Sequence, residues 1–487
     1  MNLPKPSFRQ LLLACWLLCP PIVNASTYYV NPAVTNDSGS GTKERPKKHL
    51  ASGLALLSAK GGDTLILAAG LYDSPRDAIT RSTAIHNGRS GAFNTIKAEA
   101  DGSAVLAREF DLPLTSAFLQ FEGLKWDGAF TKAVAGHHLK FLRCAFRGGP
   151  GSGNAASVTV GTNDQSPGAT YVLIEDSWIY GPGGRYKLLA YNAEYVVFRR
   201  VVVRHDGGWT YDHQNPQGGI TIYNSKDVQL QNVMVIDSDL VYQGWEAGIY
   251  LPKSDDPKTL PLHSGTRIKG SIVLNVAGNA IGFDGLGRIQ DAQVDNTVIW
   301  RAGGGIALNN GSHSVTAHNL TIGEISGAAF AVWGGKGSVL DVRHSIVHKV
   351  GSSFNRQAGS LTHRYNNCHK VRAIRCSEIG ETSYDPMTNG LKYLPQIEAA
   401  SSLKTAGENM NQVGAQVLKR IGSANSLFGD DEFDSVTGDA LWPWPNEERL
   451  RNDVCSGDIT RGLCAQAASL TNYVWGFLGS MPPAYVR

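Results

Sequence analysis

The chain has 487 residues and a formal net charge of +3. Loss of residues 1–25, which contain two basic and no acidic residues, leaves a net charge of +1 (3 − 2). A nearly neutral protein has no basic field to attract nucleic acid, so nucleic acid is not expected as a partner. Any polyanion must therefore bind locally, in a groove.

The first 25 residues have the pattern of a secretory signal peptide. A basic segment with Lys5 precedes the apolar run Leu11–Leu18, and a small-residue cleavage site ends at Ala25. The run is too short to span a bilayer and no other stretch is long enough, so we predict a secreted or periplasmic protein without a transmembrane segment. The four residues ending at Cys15 also resemble a bacterial lipobox, which leaves an outer-membrane lipid anchor at Cys15 as the alternative.

Residues 26–75 read as strand, loop, helix and strand. Leu50, Leu54 and Leu57 recur at helical spacing and define one apolar face, and Thr64–Leu67 has the composition of a strand. Repeating structures expose an apolar end at their first repeat, and an amphipathic helix covers such an end. We therefore predict that this region caps the repeats that follow.

Residues 76–384 contain those repeats, which are clearest in the middle of the chain. Each has an apolar segment, a bend, a second segment and a corner rich in Gly, Asn and Asp. The first segments begin at Leu188, Ile220, Ile249, Ile281, Ile306 and Phe330. Spacings of 24 to 32 residues indicate a solenoid, and the period-two alternation within segments indicates strands. Short stacked strands of this kind form a parallel β-helix.

The repeats, with the sequence NSKDVQLQNVMVIDS at Asn224–Ser238, resemble the right-handed parallel β-helix proteins of the pectate-lyase-like superfamily. Tyr28–Tyr72 is similar to the opening of many secreted polysaccharide-active proteins with that fold. The predicted fold is thus all-β, a right-handed parallel β-helix with an N-terminal helical cap. Residues 385–487 are predicted to form an irregular C-terminal tail that packs on the solenoid. Because one fold hosts many reactions, the resemblance says less about chemistry.

Two columns of asparagine recur at the corners of the repeats. Asn192 and Asn224 share one column, and Asn232, Asn296 and Asn319 share the other. Stacked asparagines form hydrogen-bonded ladders. We interpret both columns as structural, with bonds from coil to coil.

Five of the seven cysteines follow the signal peptide. Cys368 and Cys376 are close in sequence, as are Cys455 and Cys464, and in an exported protein this spacing predicts two local disulfides. Cys144 lies within a repeat and is predicted to be a buried free thiol.

Three aspartates are candidates for a metal site. Asp206, Asp237 and Asp239 fall on equivalent corners of adjacent repeats, and neighbouring strands lie about 4.8 Å apart. The resemblance implies Ca²⁺, because lyases of this superfamily hold that ion with aspartates on adjacent coils. Oxygen ligands suit Ca²⁺. The same residues also serve as ordinary turn formers, and that alternative stays open.

A lyase also needs a base at the α-proton of a uronate and a cation at its carboxylate. The resemblance implies a lysine or arginine as the base. Arg204 is the first candidate because it shares a corner with Asp206, and Lys253 is the second. His205 and His213 are alternatives whose unperturbed pKa lies near neutrality.

Aromatic residues near these corners are candidates for stacking on sugar rings. The predicted substrate-binding residues are Trp209, Tyr211, Tyr223, Trp245 and Tyr250. The alternative is that each of these rings packs beneath a loop.

These observations predict an exported, monomeric polysaccharide lyase that cleaves a uronic-acid-containing polysaccharide by β-elimination. Two other enzyme classes on this fold stay open, a glycoside hydrolase with two carboxylates and a uronate epimerase. A non-catalytic glycan-binding protein acting in exopolysaccharide processing is the third alternative.

Overall fold

The computed structural model describes residues 25–210, 217–239, 246–254 and 263–486. The signal peptide, apart from Ala25, and the alternative anchor at Cys15 therefore lie outside the described residues. Within the described ranges, no helix combines the length and the apolar character needed to cross a membrane.

The chain winds through three parallel faces in each coil. One coil runs along face 1 at Ala169–Glu175, along face 2 at Trp178–Tyr180 and along face 3 at Tyr186–Tyr191, and it returns to face 1 at Ala193–Arg199. All pairings between coils are parallel. The inward side chains of the three faces form one continuous apolar core. The predicted parallel β-helix is confirmed.

Face 1 contains the strands Thr27–Val30, Thr64–Leu67, Asn94–Ala98, Ala117–Glu122, Gly136–Leu142, Ala169–Glu175, Ala193–Arg199, Lys226–Gln231, His263–Ser264, Arg267–Lys269, Arg288–Asp295, Ser312–His318, Val339–Arg343 and Ser360–Arg364. Face 2 contains Gly70–Tyr72, Ala104–Leu106, Lys125–Asp127, Ala145–Arg147, Trp178–Tyr180, Val202–Arg204, Met234–Ile236 and Asn367–Ala373. Face 3 contains Phe110–Asp111, Lys132–Val134, Ala156–Val160, Tyr186–Tyr191, Gly218–Tyr223 and Ala247–Pro252. Four long strands continue from face 2 into face 3: Ile272–Asp284, Val298–Leu308, Thr321–Val332 and Ile346–Arg356.

The six leading residues of the repeats form a single column on face 3. Each residue of the column pairs with the next one along the solenoid, in the order Leu188, Ile220, Ile249, Ile281, Ile306 and Phe330. All six side chains are fully buried, so the apolar positions of the repeat are its inward positions. The repeat deduced from the sequence is therefore the structural repeat.

The asparagine columns lie at corners where the backbone is left-handed, with φ between 49° and 54°. Asparagine tolerates this conformation better than most residues with a side chain. The side chains of Asn232, Asn296 and Asn319 donate to carbonyls within residues 412–419 of the C-terminal tail. Of the three, Asn232 also donates to a neighbouring coil, at the carbonyl of Gly270. The second column therefore fastens the tail, a role that the predicted ladder did not include.

The N-terminal cap forms where it was predicted. The helix spans Leu50–Leu54, and the strand Thr64–Leu67 has the predicted limits. Leu50 and Leu54 are buried against the first coil, and Leu57 is buried beyond the end of the helix. A 3₁₀ turn at Pro75–Asp77 follows the cap.

The tail packs along the outer side of face 2, and its residues 427–433 pack on the outer side of face 1. It contains the antiparallel strands Lys419–Ile421 and Val436–Ala440, the helices Glu447–Val454, Gly462–Ala465 and Leu470–Trp475, and 3₁₀ turns at Ser402–Lys404, Glu408–Met410 and Ala484–Val486. Its tryptophans Trp442, Trp444 and Trp475 are buried in an apolar cluster with outward residues of face 2, including Trp178 and Trp300. Face 2 is therefore a second core rather than an open surface.

Both predicted disulfides are present, Cys368–Cys376 and Cys455–Cys464. Cys144 is a buried free cysteine, as predicted. Burial raises the pKa of its thiol to about 12, so it is a poor nucleophile.

Candidate functional site

The corner that carries Asp206 is enclosed by the protein. The Asp206 carboxylate accepts hydrogen bonds from the backbone N–H of Gly181 at 2.5 Å and from Nε of Arg204 at 3.0 Å. It also accepts one from the guanidinium of Arg461, in the tail. Asp206 is 5% exposed, so its oxygens are directed at protein donors.

Asp237, one coil further on, has the same kind of environment. Its carboxylate accepts from Nδ2 of Asn275 at 2.9 Å, from the backbone N–H of Leu463 at 2.7 Å and from the Tyr473 hydroxyl at 2.5 Å. Burial raises the pKa of Asp237, and these donors oppose that rise by stabilising the carboxylate. Two of the three donors belong to the tail, so this aspartate anchors the tail to the solenoid.

The predicted calcium ligands do not fit a calcium site. Asp239 accepts from the Gly207 N–H at 2.5 Å, and its other oxygen lies 3.5 Å from the Arg461 guanidinium. That same guanidinium contacts Asp206, so a fixed cation of the protein bridges two of the three carboxylates. In the part of the chain that the structure describes, Asp206, Asp237 and Asp239 are not a group whose ligand atoms lie within 4.8 Å of one another. Calcium as a cofactor stays a prediction.

Two of the predicted bases are enclosed at this corner. Arg204 is 4% exposed and donates to Asp206 and to the carbonyl of Asp458. His205 is 1% exposed, and burial, reinforced by the positive charges of Lys187 and Arg461, lowers its pKa to about 3. The imidazole is therefore neutral and enclosed, which makes it a poor base for an external polysaccharide.

A polar cavity of about 340 Å³ remains where the tail meets the solenoid. Its charged lining includes Arg147, Arg204, Asp206, Asp239 and Arg461. These charges are paired with one another or, for Arg147, with a neighbouring aspartate. The cavity thus has few uncommitted groups for a ligand.

The other predicted residues fall in three places. Lys253 follows a strand of face 3, is 5% exposed, and donates to the carbonyl of Ser254 at 2.5 Å. Tyr211, His213 and Trp245 lie outside the described residues, and their roles stay predictions. Tyr223, Tyr250 and Trp209 lie on or beside face 3.

Face 3 carries a groove lined by tyrosines, which we call the tyrosine groove. Tyr186, Leu189, Tyr191 and Tyr223 line a cavity of about 240 Å³. Tyr191 and Tyr223 are directly opposite each other on adjacent coils, with ring centroids 5.4 Å apart. Both rings point outward because they alternate with core residues along their strands. The result is a half-exposed aromatic surface beside a depression.

Tyr250 packs against residues that line this groove. It is 8% exposed and packs in one apolar cluster with Tyr186 and Leu189. Its hydroxyl donates to Oδ2 of Asp284 at 3.2 Å, and burial together with that carboxylate strongly raises the pKa of Tyr250. Direct stacking of Tyr250 on a sugar is therefore not supported in this arrangement, since its ring lies within the cluster.

Polar side chains surround the aromatic surface. Arg81 lines the groove; its Nε donates to Asp111 at 2.5 Å, and its Nη1 lies 3.4 Å from a carboxylate oxygen of Asp164. Nδ2 of Asn163 donates to the Tyr191 hydroxyl at 2.6 Å and fixes that ring. The groove therefore offers a cation and amide groups beside its rings.

A second arginine stands at the edge of the tyrosine groove. Arg185 donates to Oδ1 of Asn154 at 2.6 Å, and its guanidinium carbon lies 5.0 Å from the centre of the Tyr186 ring. Trp209 lies beyond it, 6.0 Å from the same carbon, and donates to the carbonyl of Gly153. Trp209 is 7% exposed, so it holds the edge of the groove and offers little surface for stacking.

Sequence reasoning overlooked Arg81, Arg185 and Tyr186 as site residues. Tyr186 had a usable signal, because it pairs with Gly218 in a column where the next residue is Ala247, and these small residues leave room for its ring. Arg81 belongs to an irregular early coil, and nothing in the repeat indicated its position near Tyr191.

Comparison with known proteins gives likeness in fold. No family model and no curated protein sequence matches the chain. Among solved structures, pectate lyase Pel9A is 15% identical and aligns over 80% of this chain and 94% of its own, with a TM-score of 0.41. The polysaccharide lyase Pedsa3628 of family PL6 from Pseudopedobacter saltans is 13% identical, with 76% and 97% covered and a TM-score of 0.40. A complex of XylC with xylose is 9% identical, with 74% and 86% covered and a TM-score of 0.46. Similarity at this level carries no evidence on substrate or reaction.

Proposed function

We propose that the protein is an exported polysaccharide lyase that binds a uronate-containing glycan along the tyrosine groove. The observation that carries this proposal is the half-exposed pair Tyr191 and Tyr223 with Arg81 in the same groove. Sugar rings stack on aromatic faces through their apolar C–H surface. A guanidinium binds a carboxylate through paired hydrogen bonds.

The groove would hold an anionic sugar through Arg81, whose guanidinium would exchange its partner Asp164 for the sugar carboxylate. Among its described lining residues, Arg81 is the charged one. Arg185, at the edge, lies over Tyr186, with its guanidinium carbon 5.0 Å from the ring centre. Two guanidinium groups near one aromatic surface match a chain with repeated carboxylates better than a neutral chain.

The same lining favours elimination over hydrolysis. A glycoside hydrolase needs two carboxyl groups about 5 to 9.5 Å apart across the scissile bond. No carboxylate is among the described lining residues of the groove, and the neighbouring Asp111 and Asp164 face Arg81. In β-elimination a base takes the proton α to the carboxylate, the C4–O bond breaks, and the departing oxygen gains a proton. His213 is the base candidate that remains, since Lys253 is as buried as Arg204.

The test is an incubation of the purified mature protein with a panel of uronic-acid polysaccharides, with Ca²⁺ or with chelator. We expect a rise in absorbance near 235 nm, which reports the unsaturated uronate. New reducing ends without that absorbance identify a hydrolase instead. If neither signal arises with any uronan, yet the glycan binds, the lyase proposal is wrong and the protein is an epimerase or a binder.

The groove itself is tested with Tyr191→Ala and Tyr223→Ala. Loss of a stacking ring is expected to lower kcat/KM by about fivefold, since such a contact contributes about 1 kcal/mol. Tyr171→Ala is the matched control, because Tyr171 is also half-buried and stacked but belongs to face 1. Equal activity of all three variants would remove the groove assignment.

A further inference from the structure

Two histidines and an aspartate meet near the end of the solenoid, far along the chain from the tyrosine groove. Nδ1 of His348 lies 3.3 Å from Nδ1 of His369, which in turn lies 3.4 Å from Oδ1 of Asp385. All three ligand atoms lie within 4.8 Å of one another. Among the described residues, no other group of three or more His, Cys, Asp or Glu side chains has its ligand atoms this close together.

These separations are those of ligands around one small cation. Zn²⁺ binds imidazole nitrogen at about 2.0–2.1 Å and carboxylate oxygen at about 2.0–2.2 Å, usually in a tetrahedron. Two such ligands at a tetrahedral angle stand about 3.3–3.5 Å apart. Both short separations in the cluster match that edge.

The place of the histidines in the fold is unusual. Along face 2, one outward column runs through Leu274, Trp300, Gly323, His348 and His369. Its earlier members are apolar and packed beneath the tail. Gly323 leaves room for the indole of Trp300, because a Cβ at position 323 would lie 2.1 Å from that ring. The apolar column thus ends in two imidazoles at the point where the tail begins.

His348 has no conventional reason to be buried. It is fully buried, its Nε2 has no hydrogen-bond partner, and the polar contact of its Nδ1 is with another imidazole. A buried polar ring costs free energy unless something binds it. A cation bound by Nδ1 of both histidines would replace this contact between two imidazoles with a pair of metal–ligand bonds.

The surroundings of the cluster hold it in place. The disulfide Cys368–Cys376 starts at the residue before His369. The side chain of Asn367 donates to the carbonyl of Tyr384, the residue before Asp385, at 3.0 Å. Ligands on strands and on a pinned segment are positioned before the ion arrives, which favours binding.

We propose that His348, His369 and Asp385 form a site for a divalent transition metal of the zinc type. Two imidazoles with one carboxylate suit Zn²⁺ better than Ca²⁺ or Mg²⁺, which prefer all-oxygen ligands. The ion would join the last coils to the first residues of the tail. The site lies on face 2 and the tyrosine groove lies on face 3, so the metal proposal does not rest on the proposed reaction.

The test uses tag-free mature protein stripped with chelator and then supplied with ZnCl₂ or CoCl₂. We expect one Zn²⁺ per chain by calorimetry and a rise in Tm of about 3 °C at saturating metal. Co²⁺ in the same site is expected to give the visible absorption of tetrahedral coordination. Binding of no metal by the wild-type chain overturns the proposal.

The variants separate the site from adventitious binding. His369→Ala and Asp385→Asn are expected to weaken Zn²⁺ binding by about tenfold or more and to remove the Co²⁺ spectrum. The Asp385 side chain is 33% exposed, so its variant keeps the proposal testable if the histidine variant misfolds. The matched control is His137→Ala, since His137 and His138 are also an imidazole pair, 3.0 Å apart, but outside any three-ligand group. Equal Zn²⁺ affinity in Asp385→Asn and wild type contradicts the assignment.

Discussion

At the scale of single residues, Asp237 shows how a corner aspartate can act as an anchor. Three buried donors converge on its carboxylate, and two of them come from the tail. Removing such a carboxylate leaves the donors unpaired in a dry environment, which costs more than the bonds themselves contribute. The residue therefore matters to stability before it matters to chemistry.

We predict that Asp237→Ala lowers the free energy of unfolding by about 3 kcal/mol. Asp239→Ala is the matched control on the adjacent corner segment. Its side chain is 41% exposed, and its loss is expected to cost about 1 kcal/mol or less. Urea unfolding followed by circular dichroism measures both. If Asp237→Ala abolishes activity while its stability equals that of wild type, Asp237 is catalytic and the anchor interpretation is wrong.

At the scale of structural elements, the asparagine corners bind the tail along the solenoid. The side chain of Asn296 both donates to the carbonyl of Gln416 at 2.9 Å and accepts from its N–H at 2.6 Å. This amide thus pairs with the N–H and C=O of one tail residue, as a strand neighbour would. Its backbone is left-handed, with φ of 49°.

Two substitutions at this corner separate the two contributions. Asn296→Gly removes both side-chain bonds but suits the backbone, and we expect a loss of about 1–2 kcal/mol. Asn296→Ala loses the same bonds and adds a left-handed penalty of about 1 kcal/mol. Chemical denaturation measures the three stabilities, which we expect to fall in the order wild type, Asn296→Gly, Asn296→Ala. An alanine variant as stable as the glycine variant would contradict the argument from φ.

The longer strands of faces 1 and 3 were predictable because period-two alternation over five or more residues is a strong signal. Face 2 was not, since three-residue strands such as Trp178–Tyr180 are too short to show a period, and both of their sides are buried. The role of the corner aspartates could not be predicted, for another reason. An aspartate that forms a turn, binds a cation or holds a distant segment looks the same in sequence, and Arg461 is 255 residues from Asp206.

At the scale of the whole molecule, the tail changes how the solenoid holds together. In a bare solenoid each coil contacts its neighbours alone, so unfolding can begin at an end and spread. Here Arg449 donates to the carbonyl of Arg143 in an early coil, and Gly414 donates to that of His344 in a late one. The tail thus connects an early coil with a late coil, which have no contact with each other.

We therefore predict that the full chain unfolds in urea as one unit, with coincident circular dichroism and tryptophan fluorescence transitions. A chain ending at residue 385 keeps every described coil but uncovers outward apolar residues of face 2 such as Trp178 and Trp300. It is expected to unfold at lower urea, over a broader range, and to bind a hydrophobic dye in its native baseline. If the shortened chain has the same urea midpoint and slope as the full chain, the tail does not stabilise the solenoid. If fluorescence changes before circular dichroism in the full chain, the tail detaches by itself and does not couple the coils.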